Sequence, residues 1–307
     1  MIQNLKPKSQ FVRGVLFAFL GAICFSTKAI FVKLAYRDTA VDAVTLLTLR
    51  MVFSLPFFVA AAALSSSKAD NVRFTKAQWL QVALVGLLGY YISSLLDFRG
   101  LQYVSAGIER LILFVYPTLV LIFSAIAFKT RIQKIQWLAL IVTYAGLLVA
   151  FLGEANAVGQ SPDFFKGALF IFACAITFAL HIVGSGRLIP LVGAAKFNSY
   201  AMSFASLGVF AHFIFWGKGS LLFLEPAIYV YSFLMAIFST VIPSYLVTAG
   251  IKRIGSGNTA IVGSIGPVST ILMAYFFLQE SVSFLQLIGT VCIITGVLLI
   301  GRKGSNV

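Results

Sequence analysis

Residues 103–128, YVSAGIERLILFVYPTLVLIFSAIAF, and residues 253–278, RIGSGNTAIVGSIGPVSTILMAYFFL, decide the fold of this chain. Set against each other at a fixed offset of 150, they bring Gly107 onto Gly257 and Pro117 onto Pro267, and most other pairs are apolar on apolar. The same ungapped offset holds from Phe98–Phe151 against Thr248–Gly301 and adds the pairs Gly100 with Gly250, Gln136 with Gln286 and Gly146 with Gly296. Nearer the start, RGVLFAFLGAICF meets KGALFIFACAITF at an offset of 153, which sets Lys28 opposite His181. Membrane helices resemble one another by composition, but composition does not match glycines and prolines across more than fifty ungapped residues. The chain is read as one unit written twice.

The solvent for most of that unit is lipid. Of 307 residues, 60% are hydrophobic and 10% charged, 30 are Phe, and the mean hydropathy is +0.99. Soluble domains carry about 25% charged residues. Apolar runs of about 20 residues span the hydrocarbon as helices. Ten are expected, over 13–35, 43–64, 77–98, 105–128, 134–153, 166–187, 197–217, 226–250, 257–279 and 282–301. The fold class is therefore an all-α polytopic membrane protein with ten transmembrane helices. The basic start MIQNLKPKSQFVR is expected to lead into a retained first helix, because the run Gly14–Tyr36 is long for a signal peptide and holds two lysines.

The net charge of +14 belongs to short loops and not to a nucleic-acid surface, since no soluble segment is long enough to carry one. Fifteen Lys and Arg fall in the loops on one side: Lys6, Lys8, Arg13, Lys68, Arg73, Lys76, Lys129, Arg131, Lys134, Arg187, Lys196, Lys252, Arg253, Arg302 and Lys303. Four (Arg37, Arg99, Lys166, Lys218) fall on the other. Positive loops stay in the cytoplasm, which places both termini inside. Asp38, Asp42, Glu154, Asp163, Glu225 and Glu280 sit in outer loops and Asp70 in an inner one. Five helices per unit is an odd number, so the second copy, 166–302, is expected upside down relative to the first, 13–153. Inverted repeats of this kind build carriers whose substrate site lies near the midplane between the halves.

With ten helices, both termini inside, and the two quoted stretches each followed by a Gln and a Gly, the chain resembles the drug/metabolite transporter superfamily in its EamA-type branch. The second copy carries the fuller pattern: small residues at 255–257, Pro267, Glu280, Gly289 and Gly296. The first copy departs from it, with Thr130 in place of the acid and Glu109–Arg110 inside the fourth helix. The resemblance implies a secondary carrier in the bacterial inner membrane, an exporter of amino acids or related small metabolites.

Charge inside the bilayer is costly, so such residues face a cavity or a partner. At 1.5 Å per residue, Lys28 and Arg50 reach a similar level in the outer half, with Asp97, Arg99, Glu109 and Arg110 in the same layer. The second half has no counterpart: Arg50 falls opposite about Met202, Asp97 opposite Val247 and Glu109 opposite Thr259. Two readings stand open. In one, Lys28 and Arg50 meet an anionic group of the substrate while Glu109 or Asp97 pairs with them or takes a proton for coupling. In the other, the set is a group of salt bridges locking helices together. Tyr90 and Ser94 share a face with Asp97 by i, i+4, i+7 spacing. Tyr116, His181, Ser244 and Tyr245 complete the candidate substrate contacts, and Pro117, Pro243 and Pro267 are candidate kinks. Lys33 reads as an interfacial anchor and His212 as structural.

Two histidines on different helices make no metal site, and Cys24, Cys174 and Cys292 read as apolar thiols. Without GxxxxGK[ST] there is no nucleotide-driven motor in the chain. No cofactor, metal or nucleic acid is expected; the partners are a small-molecule substrate and the bilayer, with a homodimer left open. The alternatives to a metabolite carrier are efflux of hydrophobic cations with Glu109 as the binding acid and, more remotely, a membrane-embedded enzyme.

Overall fold

Polar residues at the ends of the apolar runs set where the helices start. In the computed structural model of the chain, Asp42 accepts from the backbone N–H groups of Val44 and Thr45 and opens α2 (Ala43–Ser66). Thr75 and Gln78 form a capping box at α3 (Lys76–Gly86), and Ser105 caps α5 (Ala106–Leu113). The structure describes residues 7–67, 72–129, 131–152, 163–217, 219–279 and 282–303. Thr130 and Glu280 of the repeat comparison lie outside these residues, as do Lys6, Lys68, Asp70, Glu154 and Lys218 of the loop comparison.

The chain runs on from α1 (Pro7–Asp38) and α2 to a third span in which α3 passes through a π-helical turn, π1 (Leu87–Ile92), into α4 (Ser93–Gly100). The fourth span is α5 followed by α6 (Tyr116–Phe128), and the fifth is α7 (Lys134–Leu152). The second half repeats this order with one more π-helical turn near its end. It consists of α8 (Phe164–Val192), α9 (Ala194–Trp216), α10 (Pro226–Ala236), π2 (Ile237–Val241), α11 (Ile242–Val262), α12 (Ile265–Met273), π3 (Ala274–Leu278) and α13 (Phe284–Lys303). Seven stretches of the described residues are long and apolar enough to cross a membrane, and three shorter apolar helices, 134–149, 265–278 and 284–296, make up the rest.

The first helix runs longer than expected at both ends, and two junctions between spans differ from expectation. The sixth span runs past residue 187 to Val192 and turns into α9 at Gly193, whose φ of +85° is open to glycine at little cost. The eighth and ninth spans join in α11, and the turn between them is made inside the helix by Gly255 at φ +77°. A single left-handed residue redirects the chain while hydrogen bonding resumes on both sides, so the apolar pattern gives no gap to read.

The helix pairings obey the duplication. The first span packs on the eighth (α1 on α11), and their mates, the sixth and third, do the same (α8 on α4). The first also packs on the ninth (α1 on α12), matched by the sixth on the fourth (α8 on α6). α2 pairs with α9, and α7 with α13. Exchanging each span for its mate leaves this pattern unchanged, which is what two copies of opposite direction related by a twofold produce. The matched glycines sit at the crossings. A Cβ on Gly146 would lie 2.6 Å from the Gly289 carbonyl oxygen, and one on Gly296 would lie 2.8 Å from that of Ala139, so α7 and α13 touch backbone to backbone. Gly100 meets Ile171 on α8, and its mate Gly250 meets Ala18 on α1. In lipid, where burial of apolar surface does not drive helix association, such close small-residue crossings supply the packing. Each apolar cluster mixes residues of both halves, so the halves share one core.

Candidate functional site

At the centre of the molecule both halves contribute to one cavity, with about 950 Å³ of space free of protein atoms, its mouth included. On α1 a stripe at three- and four-residue spacing (Ala18, Ala22, Phe25, Lys28) faces it. Phe178 on α8, the mate of Phe25 at offset 153, faces it from the other half. The π turns do the same in a matched way: Gly89 and Tyr90 of π1 line the wall, and so do their offset-150 mates Ser239 and Thr240 of π2. A π turn widens the helix by one residue and frequently marks a functional site. Gly89 has a steric reason as well, since a Cβ there would fall 2.2 Å from the ring of His181.

Two broken helices close the wall. The fourth span interrupts at Phe114–Val115 before Tyr116–Pro117, and the ninth interrupts at Gly263–Ser264 before Gly266–Pro267. The carbonyls near the breaks find partners. Ala260 accepts from the Tyr116 hydroxyl at 3.3 Å, Thr259 from Gly263 N at 2.9 Å, and Gly266 from Ser26 Oγ at 3.0 Å. Pro267 lines the cavity, whereas Pro117 and Pro243 are buried in the helix starts beside it.

Of the charged layer expected in the first half, Lys28, Asp97, Glu109 and Arg110 form one connected group, and Arg99, partly buried in the last turn of α4, lies outside it. Lys28 Nζ lies 2.7 Å from Asp97 Oδ2 and 3.8 Å from Glu109 Oε1, and Arg110 Nε lies 3.1 Å from Glu109 Oε2. Arg110 also donates to the Phe25 carbonyl at 3.0 Å, tying α5 to α1. Asp97 and Glu109 have no exposed surface (0% each). Lys28, Arg50 and Arg110 line the cavity, while the two acids stand behind the cations and do not. A buried carboxylate stripped of its counterion costs about 3–5 kcal/mol, which is why the chain holds these groups together.

Arg50 is different. It is 2% exposed, donates from Nη2 to Ser94 Oγ at 2.9 Å and lies over the Phe98 ring at 5.0 Å. Its Nε has no hydrogen-bond partner, and no acid lies within ion-pair distance of it among the described residues.

The remaining expected contacts divide. Tyr90, Ser94 and Tyr116 line the cavity. His181 sits behind its wall, 1% exposed, with Nδ1 2.8 Å from the Val85 carbonyl and its ring stacked on Phe178. Ser244 accepts from Asn198 Nδ2 at 2.9 Å and Tyr245 bonds Ser199 at 2.7 Å, on the side where α11 meets α9 and away from the cavity. His212 bonds Tyr91, and Lys33 is partly buried on α1. Arg110, Phe178, Ser239, Thr240 and Thr259 line the cavity without having been singled out as substrate contacts, and Ser93 lines it beside Ser94. The offset of 150 applied to Tyr90 and Glu109 points straight to Thr240 and Thr259. No cluster of three or more His, Cys, Asp or Glu side chains converges among the described residues.

A family model for "EamA-like transporter family" matches residues 12–152 and again 165–302. The chain belongs to the EamA-like transporter family. Among its relatives, "Uncharacterized transporter YcbK" of Bacillus subtilis (strain 168) is 31% identical over 90% of this chain and 88% of its own length. "Aromatic amino acid exporter YddG" of Ancylobacter novellus is 26% identical over 44% of this chain and 47% of its own length. A solved protein structure superposes with a TM-score of 0.73 at 19% identity, over 95% of this chain and 98% of the other, and speaks for the fold alone. This EamA-like transporter thus joins a multi-pass membrane fold to a cavity shared by its two repeats.

Proposed function

We propose that this EamA-like transporter is a secondary carrier that exports amino acids or related small metabolites across the bacterial inner membrane by alternating access, with both termini in the cytoplasm. One observation carries the reading. The cavity lies where the two inverted halves meet, is lined by matched elements of both, and holds three cations at its wall. Rocking of one half against the other would expose such a site to each side in turn. The broken helices and π turns lie where that motion needs give. The export direction and the amino-acid class draw support from the name of the Ancylobacter novellus relative.

In this reading Lys28 and Arg50 contact the substrate's anionic group, and Asp97 and Glu109 hold Lys28 and Arg110 in position and are the candidates for ion coupling. The geometry favours it over efflux of hydrophobic cations, because the acid such a cation needs, Glu109, is shielded from the cavity by Lys28 and Arg110. The test is metabolite profiling of cells and medium with and without the protein, followed by exchange of each candidate in proteoliposomes. A solute enriched outside the producing cells and exchanged by the purified protein is expected. Identical profiles together with no exchange would discard the carrier reading.

A further inference from the structure

Building on the carrier reading, and narrowing its substrates from amino acids to the related metabolites that lack the amino group, we infer that the cavity takes an organic monoanion: a molecule with one carboxylate-like group, an apolar body and no ammonium group. The first support is the charge count. Of the charged side chains that line the cavity or form ion pairs with those that do, three are cations (Lys28, Arg50, Arg110) and two are acids (Asp97, Glu109). Both acids are taken, so one positive charge is left over.

The second support is where that charge resides. Arg50 is all but fully buried, its one side-chain hydrogen bond goes to a neutral hydroxyl, and its Nε is unpartnered. A guanidinium in so dry a place wants a carboxylate, which it grips with two parallel N–H donors. Because Arg50 lines the cavity, a bound anion can supply that carboxylate, with Lys28 at the same wall.

The third support concerns what the wall does not offer. An amino acid needs a place for its ammonium group as well. None of the residues lining the cavity is Asp or Glu. The carbonyls at the ninth-span break accept hydrogen bonds from Tyr116, Gly263 and Ser26, and being neutral they carry no charge to balance an ammonium. The rest of the wall is mostly apolar or aromatic, with Phe25, Leu113, Phe114, Phe178, Ile182 and Val247 prominent, so it suits the body of the molecule rather than a second charge. A zwitterion would place its ammonium beside three cations. The substrate class is therefore the carboxylate whose apolar body resembles that of a large amino acid but whose amino group is absent.

The experiment uses the purified full chain in lipid nanodiscs and three probes of matched shape: phenylpropanoate, phenylalanine and phenylethylamine, each radiolabelled. Phenylpropanoate is expected to bind at least about tenfold more tightly than phenylalanine, with phenylethylamine weakest, and Arg50→Gln is expected to erase that preference. Arg50→Lys, which keeps the charge and loses the fork, should fall between. It carries the mutational arm if the glutamine variant does not fold, and no loss in it would then count against the inference. Phenylalanine binding as tightly as phenylpropanoate, no binding of either, or binding indifferent to Arg50 overturns the inference.

Exchange in proteoliposomes separates this from the carrier reading. Exchange that favours phenylalanine keeps the carrier and discards the monoanion. Tight phenylpropanoate binding with no exchange of any solute keeps the monoanion site and discards the carrier.

Discussion

The two halves of this molecule share a scaffold and divide the chemistry. In the first half the central layer holds Lys28, Arg50, Asp97, Glu109 and Arg110. In the second, the positions opposite Asp97, Glu109 and Arg110 hold Val247, Thr259 and Ala260, and all three line the cavity. The position opposite Lys28 holds His181, which props the wall from behind by bonding Val85 and packing on Gly89. Most backbone features are matched in both halves: the turns π1 and π2, the breaks before Tyr116–Pro117 and Gly266–Pro267, and the glycine crossings, while π3 has no mate among the described residues. The elements that would flex in the proposed motion are thus duplicated, and the charged groups are not. A carrier needs both halves to rock, but it needs only one of them to grip an ion.

The contrast breaks most visibly at Lys28. Lys28→Ala leaves Asp97 buried without a counterion, and transport should be lost together with about 3–5 kcal/mol of stability. The double change Lys28→Met with Asp97→Leu should recover the stability but not the transport, since it removes the charge pair as a unit. Proteoliposome exchange and thermal unfolding of each variant check this. Equal loss of transport on substituting His181 would contradict the division between the halves.

The shared scaffold is tested at α7 and α13. Gly146→Ala and Gly296→Ala each press a methyl group toward the facing backbone and should each cost about 1–3 kcal/mol. Unfolding midpoints of the two variants are expected to fall together. One falling alone would mean the crossing is not symmetric.

The neutral half can be given a charge. Val247→Asp places an acid on the cavity side, where its mate Asp97 is hidden, and should weaken anion binding by about tenfold through competition for Arg50 and Lys28. Unchanged binding would show that Val247 does not face the substrate. The smallest effect is expected at Tyr116→Phe. It removes one hydrogen bond to Ala260, worth about 0.5–1.5 kcal/mol, and should shift exchange rates severalfold with little change in affinity.

Much of this is legible in the sequence. The offset of 150 picked out the matched glycines as marks of the duplication, and a glycine kept at a helix contact leaves the same mark in both copies. Counting residues from the helix ends put Lys28, Asp97, Glu109 and Arg110 in one layer because helical rise is constant. Which side of the wall each group takes was not legible. Rotation about a helix axis decides it, and a π turn such as Leu87–Ile92 shifts that rotation without any residue signature. For the same reason Arg50 could be placed at the right depth but not matched to Ser94 and Phe98. His181 was expected at the cavity as the mate of Lys28, and Ser244 and Tyr245 as neighbours of Pro243; their side chains bond neighbouring helices instead. The joined eighth and ninth spans were hidden because Gly255 redirects the chain within a single residue.

Phe25 and Phe178 offer the most direct test of the central claim that one cavity is presented by two inverted halves in turn. They are mates in the duplication and face each other's half across the cavity. In a background with Cys24, Cys174 and Cys292 replaced by alanine, Phe25→Cys and Phe178→Cys are each exposed to a membrane-impermeant thiol reagent from either side of oriented proteoliposomes. Both cysteines should react from both sides, and a bound carboxylate should slow both reactions. A cysteine that reacts from one side only, with or without ligand, would contradict the account.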